Sequence, residues 1–131
     1  MPGDSILVVD DHEFNTRAVA FILKAAGYVA LTASGASELE ALLENHVPCL
    51  ILMDLEMPEV DGYELTRRIK SDPRTQGVVV VAFTTVPAEE GADRARTAGC
   101  DGYITKTADL HSLPHQIEKY LERGASAARQ S

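Results

Sequence analysis

The sequence predicts an α/β protein built on a doubly wound, five-stranded parallel sheet. Five short apolar runs, partly β-branched, alternate with longer amphipathic stretches, which is a fivefold βα repeat. The runs are almost continuously apolar, as strands covered by helices on both faces require. They are ILVV at 6–9, YVALTA at 28–33, LILM at 50–53, VVVVAF at 78–83 and YIT at 103–105.

Helical spacing of apolar residues marks four of the intervening segments. In the first of these segments, the apolar residues fall on one face of the predicted helix, and Gly27 ends the helix. The residues that mark these helices are Phe14, Ala18, Phe21, Ile22 and Ala25; Leu39, Leu42 and Leu43; Leu65 and Ile69; and Leu110, Leu113, Ile117 and Leu121.

The fourth helix, roughly 88–98, is predicted to be the least firmly held element. Pro87 opens it, Gly91 interrupts it and its inner face is mostly alanine. Pro114 fits the last helix if that helix begins near Ser112, where proline falls in the first turn.

We expect one domain over 1–123 and a short flexible tail over 124–131, with no output domain.

Composition narrows the classes of function. The chain has 131 residues and a formal net charge of −8, so we expect one domain and no direct nucleic-acid partner. We expect no secretory signal and no membrane span. Cys49 and Cys100 lack a CxxC spacing and the density of a disulfide scaffold, which favours a reduced, cytoplasmic protein.

Polar side chains follow four of the five predicted strands. Asp10 and Asp11 follow the first, Asp54 the third, Thr84 the fourth and Lys106 the fifth. Ligands of open α/β sheets bind beyond the carboxyl ends of the strands, where the strand order reverses. We therefore expect three acids, a hydroxyl and an amine at one edge of the sheet.

Three converging carboxylates require a cation, because each close pair repels by about 4 kcal/mol at an effective dielectric near 20. Oxygen ligands select a hard ion, so we expect Mg²⁺, with Mn²⁺ as the alternative, and Mg²⁺ commonly binds phosphate oxygens as well. The cluster indicates phosphoryl chemistry. Asp54 is the candidate nucleophile, and Thr84 and Lys106 are candidates for binding the phosphoryl oxygens.

Four motifs together resemble the receiver domain of bacterial two-component response regulators. They are DD at 10–11, MDLEMPEVDGYEL at 53–65, Thr84 after VVVVAF, and GCDGYITK at 99–106. The resemblance covers essentially the whole chain. It implies a flavodoxin-like (βα)5 fold with strand order 2-1-3-4-5 and a phosphoacceptor switch that is not a turnover enzyme on a separate substrate.

The resemblance also implies how the acids act. Asp54 would accept a phosphoryl group from a histidine kinase or a histidine phosphotransfer protein. Asp10 and Asp11 would hold Mg²⁺ together with Asp54, and the backbone carbonyl of Glu56 would complete the protein ligands.

The same resemblance implies which residues respond to phosphorylation. Lys106 would contact the phosphoryl group, Thr84 would move towards it, and Tyr103 would change rotamer as Thr84 moves. The fourth helix, fifth strand and fifth helix would form the face that binds a downstream protein, in a monomer or a weak phosphorylation-linked dimer.

The chain departs from the family pattern at two positions. Thr107 follows Lys106 where the family usually has proline after a cis peptide; a cis bond without proline costs about 2.5–4 kcal/mol, so we expect a trans bond and an altered loop. Thr85 stands where the family usually has alanine or glycine, and we expect it to crowd access to Asp54 and change the rates of phosphorylation or hydrolysis.

Several alternatives are weighed against this interpretation. Asp10 and Asp11 could merely cap a helix, and His12 is interpreted as a solvated loop histidine because imidazole suits Mg²⁺ poorly. A haloacid-dehalogenase-type phosphatase needs DxD rather than DD, and a flavin or mononucleotide binder needs a glycine-rich first loop rather than DDHEF. A phosphorylation-independent receiver-like interaction module is the remaining alternative.

Overall fold

A computed structural model describes residues 4–57, 60–106 and 109–130, with the backbone alone for residues 60 and 124–130. Its main sheet has five strands: β1 (Ser5–Val9), β2 (Val29–Ala33), β3 (Leu50–Met53), β4 (Val79–Thr84) and β5 (Gly102–Thr105). All neighbouring strands are parallel and their order is 2-1-3-4-5. The predicted fold class is confirmed.

Five α-helices connect and cover the strands. They are α1 (Glu13–Ala25), α2 (Ala36–Asn45), α3 (Gly62–Ser71), α4 (Ala88–Ala98) and α5 (Leu113–Gln130). A 3₁₀ turn, Leu110–Ser112, precedes α5, so Pro114 lies in the first turn of the helix, where its missing N–H costs nothing. In the described part of the chain, no helix has the length and apolar character needed to cross a membrane.

Apolar side chains cover the sheet on both faces, as the continuously apolar strands predict. On one face, α2, α3 and α4 contribute Leu39, Leu43, Leu65, Ile69, Ala95 and Ala98. On the other face, α1 and α5 contribute Val19, Leu23, Leu113 and Ile117. The central strand β3 is fully buried along its length. The carboxyl end of this rigid strand carries Asp54.

The predicted buried face of α1 is wrong. Phe14 and Phe21 are 84% and 74% exposed, whereas the residues that α1 buries are Thr16, Val19, Ala20 and Leu23. Both faces of the helix carry apolar residues, so spacing alone does not select one. The connection from β1 is only three residues long, and the Thr16 hydroxyl lies 3.4 Å from the carbonyl of Asp10, so the buried face of α1 begins beside the end of β1.

The last helix is longer than predicted. The apolar periodicity ends at Leu121 and suggests a break near residue 123, but α5 continues to Gln130. The segment ASAARQ is rich in residues with high helix propensity, and it needs no apolar face to continue a helix that is already formed. The helix therefore extends into the segment predicted to be a tail, whose flexibility stays a prediction, while the α4 bounds agree with the prediction.

Candidate functional site

Backbone hydrogen bonds extend the sheet one residue beyond three of its strands. The amide of Asp10 donates to Ala33 (3.1 Å), that of Asp54 to Val9 (2.9 Å) and that of Lys106 to Thr84 (2.8 Å). The ladder thereby fixes the backbone of these site residues at the carboxyl edge of the sheet. This edge includes the carboxyl ends of the neighbouring strands β1 and β3, between which the strand order reverses.

Lys106 joins two buried carboxylates. Its Nζ lies 2.7 Å from Asp10 Oδ2 and 3.4 Å from Asp54 Oδ2. Asp10 and Asp54 are each only 3% exposed, and the Lys106 side chain is 12% exposed. Lys106 therefore reaches the acids although Thr107 follows it; the predicted trans peptide and altered loop at Thr107 lie outside the described residues.

Two carboxylate oxygens are buried without a hydrogen-bond partner in the described chain, Asp11 Oδ1 and Asp54 Oδ2. The other oxygen of Asp54 accepts a hydrogen bond from the Glu56 amide at 3.0 Å, which fixes the orientation of the carboxylate. Buried acceptors without donors are costly unless a ligand satisfies them. These hard oxygen donors fit a divalent cation such as Mg²⁺.

Burial and hydrogen bonding shift the pKa values of Asp54 and Asp10 in opposite directions. Burial raises the pKa of Asp54 above the usual range of an aspartate, and the hydrogen bond from the Glu56 amide and the charge of Lys106 offset this only in part. Burial also acts to raise the pKa of Asp10, but hydrogen bonds from Lys106 and the His12 amide outweigh it and hold that pKa low. Asp10 is therefore the more firmly ionised of the two.

His12 lies against the acids rather than pointing away from them. Its Nδ1 is 3.1 Å from Asp10 Oδ1 and 3.1 Å from Asp11 Oδ1, although the side chain is 62% exposed. Its amide donates to Asp10 Oδ1 at 2.9 Å. The predicted exposure of His12 is confirmed, but the interpretation as a solvated loop residue misses its contact with the acids. Its position directly after the acid pair was the signal that could have indicated it.

Thr84 and Tyr103 are connected through Val86, which sequence reasoning missed. The Thr84 hydroxyl, fully buried, accepts from the Val86 amide (3.3 Å), and the Tyr103 hydroxyl donates to the Val86 carbonyl (2.7 Å). Val86 contributes backbone atoms to both bonds, so no residue pattern could reveal it. Thr85, which lies between Thr84 and Val86 in the chain, is exposed. Its effect on access to Asp54 stays a prediction.

Two glycines admit close packing around the site. A Cβ at Gly62, at the start of α3, would overlap the backbone oxygen of Asp54, so only glycine allows this approach. A Cβ at Gly91 would overlap the Tyr103 hydroxyl. The predicted interruption of α4 at Gly91 is wrong, because the helix is continuous there, and the missing Cβ instead leaves the space in which the Tyr103 hydroxyl lies.

Glu56 and Met57 pair with residues 60 and 61 in a short antiparallel bridge just after Asp54. Asp61 then caps α3 by accepting from the Tyr63 amide at 2.9 Å. The Arg94 guanidinium lies 3.9 Å from the centre of the Tyr63 ring and 3.8 Å from Asp61, which connects α4 to this loop. The segment that carries Asp54 is thus attached to α3 and α4. The role of the Glu56 carbonyl stays a prediction.

The fold and this edge of the sheet together define a response regulator receiver domain. The model of that domain family matches residues 6–118, and the chain belongs to the family. The resemblance inferred from the four motifs is confirmed.

Individual relatives agree in length and in fold. The polar-differentiation response regulator DivK of Brucella ovis is 35% identical over 118 residues, which are 89% of this chain and 95% of that protein. A CheY-like receiver domain protein from Methanospirillum hungatei has a TM-score of 0.85 at 27% identity and covers 95% of this chain and 98% of that one. The receiver domain of a signal transduction histidine kinase from Syntrophus aciditrophicus has a TM-score of 0.82 at 28% identity, covering 92% and 91%.

Proposed function

We propose that the chain is a phosphoacceptor switch in a two-component phosphorelay and that Asp54 carries the phosphoryl group. The observation that carries this proposal is the state of Asp54 Oδ2. This oxygen is buried, makes no hydrogen bond of standard geometry in the described chain and lies 3.4 Å from the Lys106 ammonium. A fixed carboxylate with one free oxygen beside a cation has the arrangement that a nucleophile for phosphoryl transfer requires.

In the proposed step, Asp54 Oδ2 attacks the phosphorus of a phosphohistidine on a histidine kinase or histidine phosphotransfer protein. The new O–P bond forms as the N–P bond breaks, and the imidazole nitrogen leaves with its electron pair. The product is an aspartyl phosphate, which water later hydrolyses to aspartate and inorganic phosphate. The Glu56 amide, 3.0 Å from Asp54 Oδ1, holds the carboxylate in the attacking orientation.

The divalent ion proposed for this step is Mg²⁺, with Mn²⁺ as the alternative. Asp10, Asp11, Asp54 and the backbone carbonyl of Glu56 would hold it. When bound, Mg²⁺ would neutralise charge on the phosphoryl oxygens. Lys106, held at the site by Asp10, supplies positive charge from the protein itself.

The proposed conformational signal runs from Thr84 to Tyr103. A phosphoryl group on Asp54 would draw the Thr84 hydroxyl away from the Val86 amide, and Val86 also accepts the hydrogen bond of Tyr103. Loss of the hydrogen bond between Thr84 and the Val86 amide would leave the Val86 carbonyl, which accepts from Tyr103, less firmly placed. The face formed by α4, β5 and α5 would change as Tyr103 changes rotamer, which would alter binding to a downstream protein.

The relatives support a signalling role for a chain of this size. The match spans 95% of a DivK protein described as a response regulator, so the receiver domain makes up almost all of that protein. We propose a cytoplasmic protein without direct nucleic-acid binding, a monomer or a weak phosphorylation-linked dimer, and a phosphoacceptor rather than a turnover enzyme. Its net charge of −8 supports the absence of nucleic-acid binding.

The test is the intact mass of the protein after incubation with acetyl phosphate, with and without Mg²⁺. We expect wild type to gain one phosphate with Mg²⁺ and none without it, and Asp54→Asn to gain none. Glu59→Gln, in the acidic segment after Asp54, serves as a control that keeps Asp54 and should gain phosphate like wild type. An adduct of equal yield on Asp54→Asn would contradict the proposal.

An absent adduct on wild type would leave two explanations that Thr85→Ala separates. If Thr85 crowds the site, the alanine variant gains phosphate where wild type does not. If neither protein gains phosphate, and partner binding is the same for wild type and Asp54→Asn, the chain is a phosphorylation-independent interaction module.

A further inference from the structure

His12 places a nitrogen donor at the edge of the acid cluster. One candidate ligand atom from each of His12, Asp10, Asp11 and Asp54 lies within 4.8 Å of all the others. The His12 Nδ1 is 3.1 Å from Asp10 Oδ1 and 3.1 Å from Asp11 Oδ1. The four side chains thus present carboxylate oxygens and one imidazole nitrogen to the same small volume.

The spacing of these donors matches the coordination sphere of a small divalent ion. Adjacent ligands of an octahedral ion with bonds of about 2.1 Å are about 3.0 Å apart. In a tetrahedral zinc site the corresponding separation is about 3.4 Å. The two separations of 3.1 Å at His12 fall between these values, although Nδ1 and Asp10 Oδ1 are joined by a hydrogen bond that an ion would replace.

Two further observations point to a ligand here. Asp54 Oδ2 and Asp11 Oδ1 are buried and make no hydrogen bond of standard geometry in the part of the chain that is described, although Lys106 Nζ lies 3.4 Å from the first and His12 Nδ1 3.1 Å from the second; Asp54 is 3% exposed. The backbone of His12 is also fixed: its amide donates to Asp10 Oδ1, and its carbonyl accepts from the amide and hydroxyl of Thr16, each at 3.0 Å. The hydrogen bond between Nδ1 and Asp10 Oδ1 holds the ring beside the acids.

We propose that His12 is a nitrogen ligand of this site and that it shifts the metal preference from Mg²⁺ towards first-row divalent transition ions such as Co²⁺ and Zn²⁺. The inference rests on the proposed function of the acid cluster as a cation site. Mg²⁺ selects oxygen ligands, whereas imidazole suits the transition ions. When Nδ1 binds the ion, the ring carries its proton on Nε2.

The test is calorimetric titration of Co²⁺ and, separately, Mg²⁺ into wild type and His12→Phe at pH 8. Phenylalanine keeps a ring at this exposed position but has no donor atom. We expect Co²⁺ affinity to fall about tenfold or more, the scale on which disturbed metal sites lose affinity. Mg²⁺ affinity should change less than twofold. His111→Phe removes an exposed imidazole elsewhere and should change neither value.

The outcomes separate this inference from the proposed function. If both ions bind and His12→Phe leaves the Co²⁺ affinity unchanged, His12 is not a ligand, while the acid cluster stands as a cation site. An equal loss of Mg²⁺ and Co²⁺ affinity would also overturn the shift in preference. If neither ion binds wild type at millimolar concentration, both the metal site of the proposed function and this inference fail.

A second measurement needs no variant and covers the case in which His12→Phe does not fold. Wild type is titrated with Zn²⁺, and the imidazole nitrogens are followed by ¹H–¹⁵N correlation. We expect the Nδ1 resonance of His12 to shift at the first equivalent. An unshifted His12 signal, with Zn²⁺ bound, would overturn the inference.

Discussion

The Lys106 ammonium lies 2.7 Å from the Asp10 carboxylate, with both side chains almost fully removed from water. The same ammonium is 3.4 Å from Asp54. The central cation of the cluster is therefore a side chain from the end of β5 that reaches acids at the ends of β1 and β3. Without it, two buried carboxylates would face each other with no positive charge from the described side chains between them.

Removal of the Lys106 charge should destabilise the fold when no metal is present. Lys106→Met keeps the length of the side chain but leaves Asp10 Oδ2 without its donor, and a buried charged acceptor without a partner costs about 1–3 kcal/mol or more. We expect a fall of that size in the free energy of unfolding, measured by urea denaturation in EDTA. Lys119→Met, at an exposed position of α5, should change it little.

Asp10 provides the matching check on this prediction. Adding Asp10→Asn to Lys106→Met removes the stranded charge, so the double variant should recover part of the lost stability. A double variant no more stable than Lys106→Met would show that the buried charge is not the cause.

Asp54→Asn should stabilise the metal-free protein at neutral pH. Burial raises the pKa of Asp54 in the folded state. The folded state therefore binds the proton more tightly than the unfolded state, and ionised Asp54 costs stability above its folded pKa. We expect a gain of about 1 kcal/mol or more at pH 8, since the substitution removes a charge whose burial the Glu56 amide and Lys106 offset only in part.

The pH dependence of that gain checks its origin. As the pH falls through the raised pKa, wild-type Asp54 takes up a proton and the cost of its charge disappears. Urea denaturation from pH 8 down to the lowest pH at which both proteins are folded should therefore show the difference between Asp54→Asn and wild type shrinking towards the acid side. A difference that grows on acidification would contradict a raised pKa.

Gly91→Ala should displace Tyr103. A Cβ at this position would overlap the Tyr103 hydroxyl, so the hydrogen bond to Val86 has to break or α4 has to shift. Alanine is favoured over glycine in a helix by about 1 kcal/mol. When Tyr103 is present, the overlap with its hydroxyl should cancel this gain. Tyr103→Phe removes the hydroxyl, and Gly91→Ala should be more favourable in that background by about 0.5–3 kcal/mol.

A double-mutant cycle of unfolding free energies measures this coupling. Gly35→Ala is the control, because a Cβ at Gly35 meets nothing within 4 Å and its φ of 179° is extended backbone. Its effect should be the same with Tyr103 or with Tyr103→Phe. Equal effects of Gly91→Ala in the two backgrounds would mean that the hydroxyl does not need this space.

The two thiols should react at different rates. Burial raises the pKa of Cys100, whereas Cys49 is exposed, and the structure describes both as free. Since the thiolate is the nucleophile, iodoacetamide at pH 8.5 should alkylate Cys49 first and Cys100 more slowly. Peptide mass spectrometry over time gives the order. Faster alkylation of Cys100 would contradict its burial.

The sequence was sufficient for the strands and for the acids at their ends, because β1, β3 and β4 are buried throughout and leave unambiguous apolar runs. The orientation of α1 was not predictable in the same way, because Phe14 and Val19 lie on different faces and both are apolar. The structure shows that the face with Val19 and Leu23 is the one packed in the core. The contribution of Val86 was also hidden, since a backbone amide and carbonyl leave no mark on residue identity.

The central claim is that Asp54, and no other acid of the cluster, becomes the acyl phosphate. The most direct measurement treats the protein with acetyl phosphate and Mg²⁺, reduces the product with sodium borohydride, and maps the peptides by tandem mass spectrometry. Borohydride converts an aspartyl phosphate to homoserine, and we predict homoserine at position 54 alone. Homoserine at position 10 or 11, with aspartate retained at 54, would contradict the account.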